Sequence, residues 1–377
     1  MLGRNWENMN YKTCTRCIMD TSDPEIRFDK NGICNHCARF DELARNDWFP
    51  NEEGSRRLEA IVAKIKQEGR GKEYDCALGL SGGVDSSYLA YKAKEFGLRP
   101  LVIHVDAGWN SELAVNNIEN ICKELEYDLH THVVDWEAMR DLQVAFLRSG
   151  VPNQDAPQDH AFFVALYSFA VKNNIRYVLN GSNIATESIL PQSWGYNAMD
   201  ARFLQGIHRR FGTGTLAGYP TVSFFQYHVY YPYIRRMQVV RMLNYLHYNR
   251  DEAKKLLVEK LGWKDYGAKH YESRFTKFFQ GYFLPTRFGY DKRRAHLSSL
   301  VVSGQMSRED ALVEMAKAHY PESEQREDRA YVIKKLGLTD EEFEKLLRMP
   351  LKSHLDYPSN AVLYQKLIRI RSMLRGK

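Results

Sequence analysis

Residues 75–80 read DCALGL and residues 81–87 read SGGVDSS, and this junction decides the fold. The first run is short and apolar, which is typical of a buried strand. The adjacent glycines Gly82 and Gly83 allow the backbone to pass close to a ligand in conformations that a Cβ would forbid. Hydroxyl groups flank these glycines at three positions, Ser81, Ser86 and Ser87. With the N–H groups of a following helix, they indicate an anion-binding loop.

The loop differs from a simple turn and from a Walker A motif. A tight turn followed by a helix N-cap would also explain two glycines and Asp85-Ser86. The position between an apolar strand and an amphipathic helix favours ligand binding instead, because this edge of a doubly wound sheet is where ligands bind. The lysine of G-x-x-x-x-G-K-[ST] is missing, which excludes a Walker A loop.

Strands and amphipathic helices alternate around this loop. Strands are predicted at 75–80, 101–105, 129–134 and 177–179, and helices at 55–67, from residue 86, at 111–126 and at 159–172. This spacing predicts an α/β fold with a doubly wound parallel sheet. The sequence after about residue 235 becomes helical and charged, so we expect a helical region at the C-terminus.

The composition is that of an ordinary soluble globular protein. Of the 377 residues, 44% are hydrophobic and 27% are charged. No stretch approaches the roughly 20 apolar residues of a membrane helix, so we expect a cytoplasmic protein without a membrane partner. The net charge of +6 is mild, and it suits polyanionic ligands without requiring nucleic acid.

Four of the six cysteines crowd the start of the chain. They form two C-x-x-C pairs: Cys14, Cys17, Cys34 and Cys37. Four thiolates in two such turns are the ligand set of a structural Zn²⁺ ribbon. An iron–sulfur cluster, two disulfides or a redox pair are the alternatives. His36 is interpreted as a solvated loop residue rather than a ligand, and Cys76 and Cys122 as core residues.

These patterns divide the chain into three predicted segments. Residues 1–50 hold a polar tail, over 1–10, and the zinc ribbon. Residues 51–285 form the α/β domain that carries the SGGVDSS loop, and residues 286–377 form the helical region. The glycine-rich run 212–218 lacks a clear strand before it and is interpreted as a flexible connector.

SGGVDSS resembles the SGGxDS signature of the PP-loop ATP pyrophosphatases, which cleave ATP between its α- and β-phosphates. The resemblance implies that ATP and Mg²⁺ are cofactors. It implies that the pyrophosphate contacts Ser81, Gly82, Gly83, Asp85 and Ser86, and the hydroxyl of Ser87 extends the same loop. It places Val105 and Asp106 beside the adenosine, and Gly181 and Ser182 in a later nucleotide-binding segment that continues to Glu187.

A second resemblance covers nearly the whole chain. The cysteine-rich start, SGGVDSS and residues 288–300, which read FGYDKRRAHLSSL, are similar to the N-acetyl sugar amidotransferases of surface-polysaccharide synthesis, including O-antigen. These enzymes convert an acetamido group to an acetamidino group. The resemblance implies a nucleotide-activated N-acetylated sugar as substrate. It also implies a glutaminase partner that supplies ammonia, often with a cyclase-like subunit.

This reaction suits the residues present. An amide oxygen is a poor leaving group, and transfer of AMP to it creates a phosphate ester that ammonia can displace. The protein then has chiefly to orient ATP and amide and to stabilise charge on the phosphates. No Cys–His or Ser–His–Asp arrangement stands out, which agrees with ammonia arriving from elsewhere.

Further site residues are predicted from two segments. The long segment 152–218 has a loop-like composition around 154–160 and 187–202, and long loops are usually functional. We expect it to hold the sugar through Glu187, Trp194, Tyr196, Asn197 and Arg202. In the basic triplet that follows Phe288, Lys292 and Arg293 would clamp phosphates. Catalytic roles are thus assigned to Ser81, Asp85, Lys292 and Arg293.

The competing class is a zinc-containing PP-loop enzyme of tRNA modification, of the thiolation type. Tyrosines near Arg235 and Arg236 could stack on bases and contact phosphates. Thiolation enzymes often carry a catalytic cysteine pair, however, and here only Cys76 and Cys122 remain, both on predicted buried stripes. We therefore expect no nucleic-acid partner.

Overall fold

A computed structural model describes residues 11–267 and 269–375 of the chain, with side chains up to residue 369. The polar tail predicted over 1–10 lies outside the described residues. None of the helices in the described part is both long enough and apolar enough to cross a lipid bilayer.

A parallel sheet forms the centre of the molecule. Its strands are β1 (Cys76–Gly79), β2 (Pro100–Asp106), β3 (Leu129–Val133), β4 (Tyr177–Leu179) and β5 (Gln238–Val240). They lie in the order β3-β2-β1-β4-β5, and every neighbouring pair is parallel. The four predicted strands are confirmed. The short strand β5 was not predicted, since only three residues of it pair.

Helices cover both faces of this sheet. The first eight are α1 (Asn35–Asp47), α2 (Glu52–Glu68), α3 (Val84–Glu95), α4 (Glu112–Leu125), α5 (Trp136–Ser149), α6 (Ala156–Lys172), α7 (Ile184–Glu187) and α8 (Ala201–Phe211). Successive strand residues point to opposite faces. Ala77 packs in the core that includes α5, α6 and α8, whereas Leu78 packs in the core under α2, α3 and α4.

The rest of the described chain is mainly helical, as predicted. It contains α9 (Arg250–Leu261), α10 (Arg274–Phe278), α11 (Leu284–Phe288), α12 (Lys292–Val302), α13 (Arg308–Ala316), α14 (Glu322–Leu336), α15 (Asp340–Arg348) and α16 (Ala361–Arg375). A phenylalanine-rich core packs α10, α11, α14 and α15 together, and it includes Phe278, Phe283 and Phe343. The predicted fold class, a doubly wound parallel sheet with an N-terminal four-cysteine module and a C-terminal helical region, is confirmed.

Candidate active site at the carboxyl edge of the sheet

The SGGVDSS loop lies at the carboxyl end of β1, the central strand. Gly83 is the N-cap of α3, and Gly82 has a φ of +82°, which side chains rarely adopt. A Cβ on Gly82 would lie 2.8 Å from the carbonyl oxygen of Ala114, in α4. Gly82 is therefore required both by its backbone conformation and by the close approach of α4.

Hydrogen bonds inside the loop hold it in shape. The Ser81 and Ser86 hydroxyls are 3.1 Å apart, the Ser86 hydroxyl donates to the Gly83 carbonyl, and the Ser81 hydroxyl accepts from the Gly83 N–H. The Ser86 backbone nitrogen lies beside Gly181, where a Cβ would come within 3.1 Å of it. The loop and the segment after β4 thus form one cradle that a side chain at position 181 would fill.

Two aromatic residues form hydrogen bonds to the backbone of the loop. The indole N–H of Trp263 and the hydroxyl of Tyr266 both donate to the Gly82 carbonyl, at 2.8 and 3.1 Å. Sequence reasoning missed both residues, because they lie about 180 positions from the loop. The hydroxyl of Ser87, at the end of the loop, is fully buried and has no hydrogen-bond partner.

Asp85 is the polar centre of the site. Its carboxylate accepts hydrogen bonds from Tyr248, from the Asn183 amide at 3.3 Å and from the Lys269 ammonium at 3.2 Å. The Asp85 side chain keeps 17% of its surface exposed. A phosphate or a phosphate-bound cation can therefore still approach it.

Lys269 joins two predicted site residues that are far apart in sequence. Its ammonium lies 3.2 Å from Asp85 and 2.8 Å from Glu187, and it donates to the Thr186 hydroxyl at 3.3 Å. Burial alone would lower the pKa of Lys269, but the two carboxylates outweigh it and raise this pKa. Burial would raise the pKa of Glu187, and Lys269 outweighs it and lowers that pKa. Lys269 and Glu187 are therefore both charged at neutral pH.

The neighbouring strands contribute the remaining predicted nucleotide-binding residues. Asp106 ends β2, and its carboxylate accepts from the Gly108 N–H at 2.7 Å and from the Asn110 amide at 3.1 Å. Val105 is buried beside it. The Ser182 N–H donates to the Asn180 side chain at 2.7 Å, which shapes the turn after β4. The nucleotide-binding roles of these residues stay predictions.

A recess next to the loop collects ionisable groups from several elements. Asp159, in the first turn of α6, is exposed to solvent. Burial among surrounding protein and then repulsion by Asp155 raise the pKa of Asp159 to about 7, while Lys292 and His270 oppose this rise. The Asp159 side chain is thus accessible to solvent, although enough protein surrounds it to raise its pKa.

The basic triplet at the start of α12 does not act as one unit. Lys292 lies at this recess, close enough to affect the pKa of Asp159. Arg293 instead pairs with Asp291 at 2.8 Å and donates to the Lys317 carbonyl. Arg294 pairs with Asp20 of the cysteine module. The phosphate-clamping role predicted for Lys292 and Arg293 stays a prediction, and the structure brings only Lys292 to the recess.

The residues predicted to hold the sugar are spread over different surroundings. Glu187 lies at Lys269, as described above. Trp194 is fully buried and stacks on Tyr290 with ring centroids 5.3 Å apart. The other three surround the start of α8: the Tyr196 hydroxyl donates to Asp200, Asn197 accepts from the Met199 N–H, and Arg202 is exposed. Their predicted binding roles remain untested.

The four N-terminal cysteines form a buried cluster suited to one metal ion. Their sulfur atoms all lie within 4.8 Å of one another, and the pairs Cys14–Cys37, Cys17–Cys34 and Cys34–Cys37 are 3.8, 3.6 and 3.7 Å apart. Four thiolates at about 2.3 Å from a tetrahedral Zn²⁺ would be about 3.8 Å apart. A disulfide requires about 2.05 Å. The predicted ligand set therefore fits zinc and does not form disulfides.

Hydrogen bonds connect this cysteine module to α12 and α13. The Ile18 N–H donates to the Ser298 hydroxyl of α12 at 3.3 Å, and Arg308 donates to the carbonyls of Cys14 and Cys17. The expectation that His36 is a solvated loop residue was wrong. It is buried in α1 and lies 2.7 Å from Asp23, because Cys34 begins a helix that turns His36 inward.

Residues 272–371 match the family described as LPS biosynthesis protein WbpG-like, C-terminal domain. An uncharacterized protein of Methanocaldococcus jannaschii is 33% identical over 119 residues. The matched part is 31% of this chain and 40% of that protein, so the chain spans less than half the length of this curated relative.

Two solved structures of low identity are also similar. An NH3-dependent NAD synthetase from Campylobacter jejuni is 15% identical, with a TM-score of 0.28 over 55% of this chain and 83% of that one. An NMN synthetase from Francisella tularensis is 14% identical, with a TM-score of 0.30 over 58% and 98%. The fold assignment is based on strand order and on the loop, because such TM-scores do not establish a fold.

The match lies in the region that carries the predicted FGYDKRRAHLSSL similarity, residues 288–300. It includes α12, whose Lys292 lies at the recess and whose Ser298 holds the cysteine module. The predicted resemblance is therefore confirmed at residues 272–371, which match the C-terminal domain of the WbpG-like LPS biosynthesis proteins.

Proposed function

We propose that the protein is the ATP-using subunit of an amidotransferase. In this proposal it converts an acetamido group of a nucleotide-activated sugar to an acetamidino group during lipopolysaccharide O-antigen synthesis. Ammonia comes from a partner glutaminase, with or without a cyclase-like subunit. The reaction takes place in the cytoplasm.

One observation carries this proposal: the WbpG-like segment packs against the SGGVDSS site. Ser299 and Ser303 of α12 bond to the chain around α7, through the Ile189 N–H at 3.0 Å and the Ala185 carbonyl at 2.8 Å. The Glu272 carboxylate lies 3.3 Å from the position of a Cβ on Gly83. An ATP-type loop and an LPS-biosynthesis domain thus share one recess, where nucleotide and sugar could meet.

The residues support an adenylation in which the amide oxygen attacks the α-phosphorus. Ser81, Ser86 and the N-terminus of α3 would bind the departing pyrophosphate. Lys269 would stabilise negative charge that grows on the phosphates, since it is fixed in place before the reaction starts. Mg²⁺ bound with ATP would supply further charge neutralisation, with its ligands mainly phosphate oxygens and water.

The cysteine module has a structural part in this proposal. Zn²⁺ bound by the four thiolates would fold residues 11–37, which otherwise have little apolar core of their own. The folded module then holds α12 through Ser298 and Arg294. In this way it would keep Lys292 at the recess.

The tRNA-thiolation alternative finds less support in the cysteines. Outside the quartet the described chain has Cys76 and Cys122, and both are buried. Burial raises the pKa of the Cys122 thiol to about 11 and also raises that of Cys76. Neither is poised as a thiolate nucleophile at neutral pH.

The test is a substrate comparison with purified protein. With ATP, ammonium and UDP- or CMP-linked acetamido sugars, we expect AMP, pyrophosphate and an amidino sugar. The variant Asp85→Ala should bind zinc normally and form no AMP. Release of ADP would contradict the mechanism. Stimulation by bulk tRNA but by none of the sugars would favour the alternative.

A further inference from the structure

Asp159 lies in the first turn of α6, at the edge of the sheet that carries the SGGVDSS loop. In a doubly wound sheet the helices run antiparallel to the strands, so the N-terminus of α6 lies at the carboxyl edge. The Phe162 ring lies 3.1 Å from the position of a Cβ on Gly79, the last residue of β1. Asp159 precedes Phe162 by three residues, about one helical turn, towards that edge.

The first turn of α6 is fixed by bonds to the WbpG-like segment. The Asp155 carboxylate accepts from the Thr276 hydroxyl at 2.9 Å and from the Gln280 amide at 3.2 Å. The Gln158 side chain accepts from the Ser273 hydroxyl at 3.1 Å. The side chains of Asp155 and Gln158 thus bond to protein, whereas the side chain of Asp159 is exposed to solvent.

Charged groups from four elements surround Asp159. Asp155 is the N-cap residue of the same helix, Glu187 ends α7, Lys292 begins α12, and His270 lies on the segment before α10. Burial has the largest effect and raises the pKa of Asp159, and repulsion by Asp155 and Glu187 raises it further. Lys292 and His270 oppose the rise, and the pKa settles at about 7.

Three other ionisable groups of the recess are less suited to proton transfer. Asp85 and Glu187 are both paired with the Lys269 ammonium, and this pairing lowers the pKa of Glu187. Burial and the neighbouring Lys269 lower the pKa of His296 well below its ordinary value. A weakly basic imidazole and two paired carboxylates are poor proton acceptors, whereas a group that titrates near the working pH can both accept and donate.

We propose that Asp159 is the proton-transfer residue of this site. Its carboxylate accepts the amide N–H proton while the amide oxygen attacks the α-phosphorus, and later returns that proton to the same nitrogen. This assignment rests on the proposed function.

A group that accepts a proton and later returns it fits the proton balance of the two steps. In the first step an oxygen–phosphorus bond forms, the bond to pyrophosphate breaks, and the amide nitrogen loses its proton as the imidate forms. In the second step ammonia bonds to the carbon and the resulting ammonium group releases one proton to water. Asp159 returns its proton to the former amide nitrogen, and the bond to AMP breaks. The product is an amidinium, and Asp159 ends as the carboxylate with which it began.

The experiment compares Asp159→Asn and Asp159→Glu with the wild-type protein. Single-turnover pyrophosphate release is measured without ammonia, so that the ionisation of ammonia does not enter the pH profile. Wild-type rates should rise with pH and level off above about 7. Asp159→Asn should release pyrophosphate about 10²–10⁴-fold more slowly. Its rate should not rise with pH up to about 7, and its affinity for ATP should be unchanged. Asp159→Glu should recover part of the rate together with a pH limb.

A matched control is Glu137→Gln, a carboxylate in the first turn of α5 with an exposed side chain. It should leave rate and pH profile unchanged. If Asp159→Asn keeps the wild-type rate and pH limb, the assignment is wrong although the amidotransferase proposal survives. If the wild-type protein forms no AMP with any acetamido sugar, the proposed function itself fails.

Discussion

At the scale of single residues, Lys269 is the most informative position that the sequence did not reveal. It neutralises Asp85 from the loop and Glu187 from α7, two residues about 100 positions apart. No motif surrounds it, and a lysine in a loop reads as a solvated side chain. Asp85 was predicted from the SGGxDS resemblance, and Glu187 from the later nucleotide-binding segment and the long loop.

Replacing Lys269 by methionine should remove the fixed positive charge of the site. We expect AMP formation to fall by about 10²–10³-fold, the usual cost of losing one preorganised charge-stabilising group. The control is Lys264→Met, which alters an exposed lysine of the same segment. Steady-state AMP formation with both variants measures the effect. Equal rates in the two variants would exclude Lys269 from the reaction.

Aromatic side chains show the limit of prediction at this scale. Trp194 was expected to hold a sugar because it lies in a long loop. It is instead buried against Tyr290 beside the cysteine module, so neither ring face is open to a ligand. The sequence pattern of an irregular segment does not specify the direction of a side chain, since no helical or strand period applies.

At the scale of elements, periodic segments were predicted well and irregular ones poorly. The strands β1 to β4 and the helices α2, α3, α4 and α6 follow from their apolar spacing. The region 154–160 was expected to be a loop, yet α6 begins at Ala156 with Pro157 in its first turn. Proline is tolerated there, because the first-turn N–H groups have no partner within the helix.

The connector 212–218 provides a prediction about stability. Its first residues are bound to Asp141 of α5 by the N–H groups of Thr213 and Gly214, at 2.9 and 3.0 Å, and His208 lies 2.7 Å away. Burial would raise the pKa of Asp141, but these bonds lower it from 3.8 to about 2. The depressed pKa means that the carboxylate stabilises the fold above pH 4, and that this contribution is lost as the pH falls towards 2.

Asp141→Asn should therefore lower the free energy of unfolding by about 1–3 kcal/mol at neutral pH, the cost of losing hydrogen bonds to a charged group. Urea denaturation at several pH values measures this. Glu137→Gln, on the exposed side of the same helix, should change it by less than about 0.5 kcal/mol. The difference in the free energy of unfolding between wild type and Asp141→Asn should stay constant above pH 4. A decrease of this difference already well above pH 4 would contradict the assignment to Asp141.

At the scale of the whole molecule, the sheet and the metal ligands could be predicted, and their relative placement could not. The C-x-x-C spacing alone indicates which four thiolates come together. It does not indicate that Arg294 and Ser298, about 280 positions away, receive the folded module. Such long-range contacts depend on the packing of complete surfaces and leave no local pattern.

Removal of the metal should disturb more than the N-terminus. We expect about one Zn²⁺ per chain, as a single four-thiolate site requires. Cys17→Ser or chelation should lower the melting temperature and slow AMP formation, since α12 loses its support. Cys122→Ser, which lies outside the quartet, should keep the zinc. Metal analysis, calorimetry and the AMP assay measure these effects, and a brown iron chromophore would overturn the zinc assignment.

The most direct test of the central claim follows one oxygen atom. The acetamido oxygen of the nucleotide-linked sugar is replaced by its heavy isotope, and the reaction is run with ATP and ammonium. If the SGGVDSS site adenylates that oxygen, the label must leave with AMP and appear in its phosphate by mass spectrometry. AMP without the label, or the formation of labelled inorganic phosphate together with ADP, would contradict adenylation of the amide.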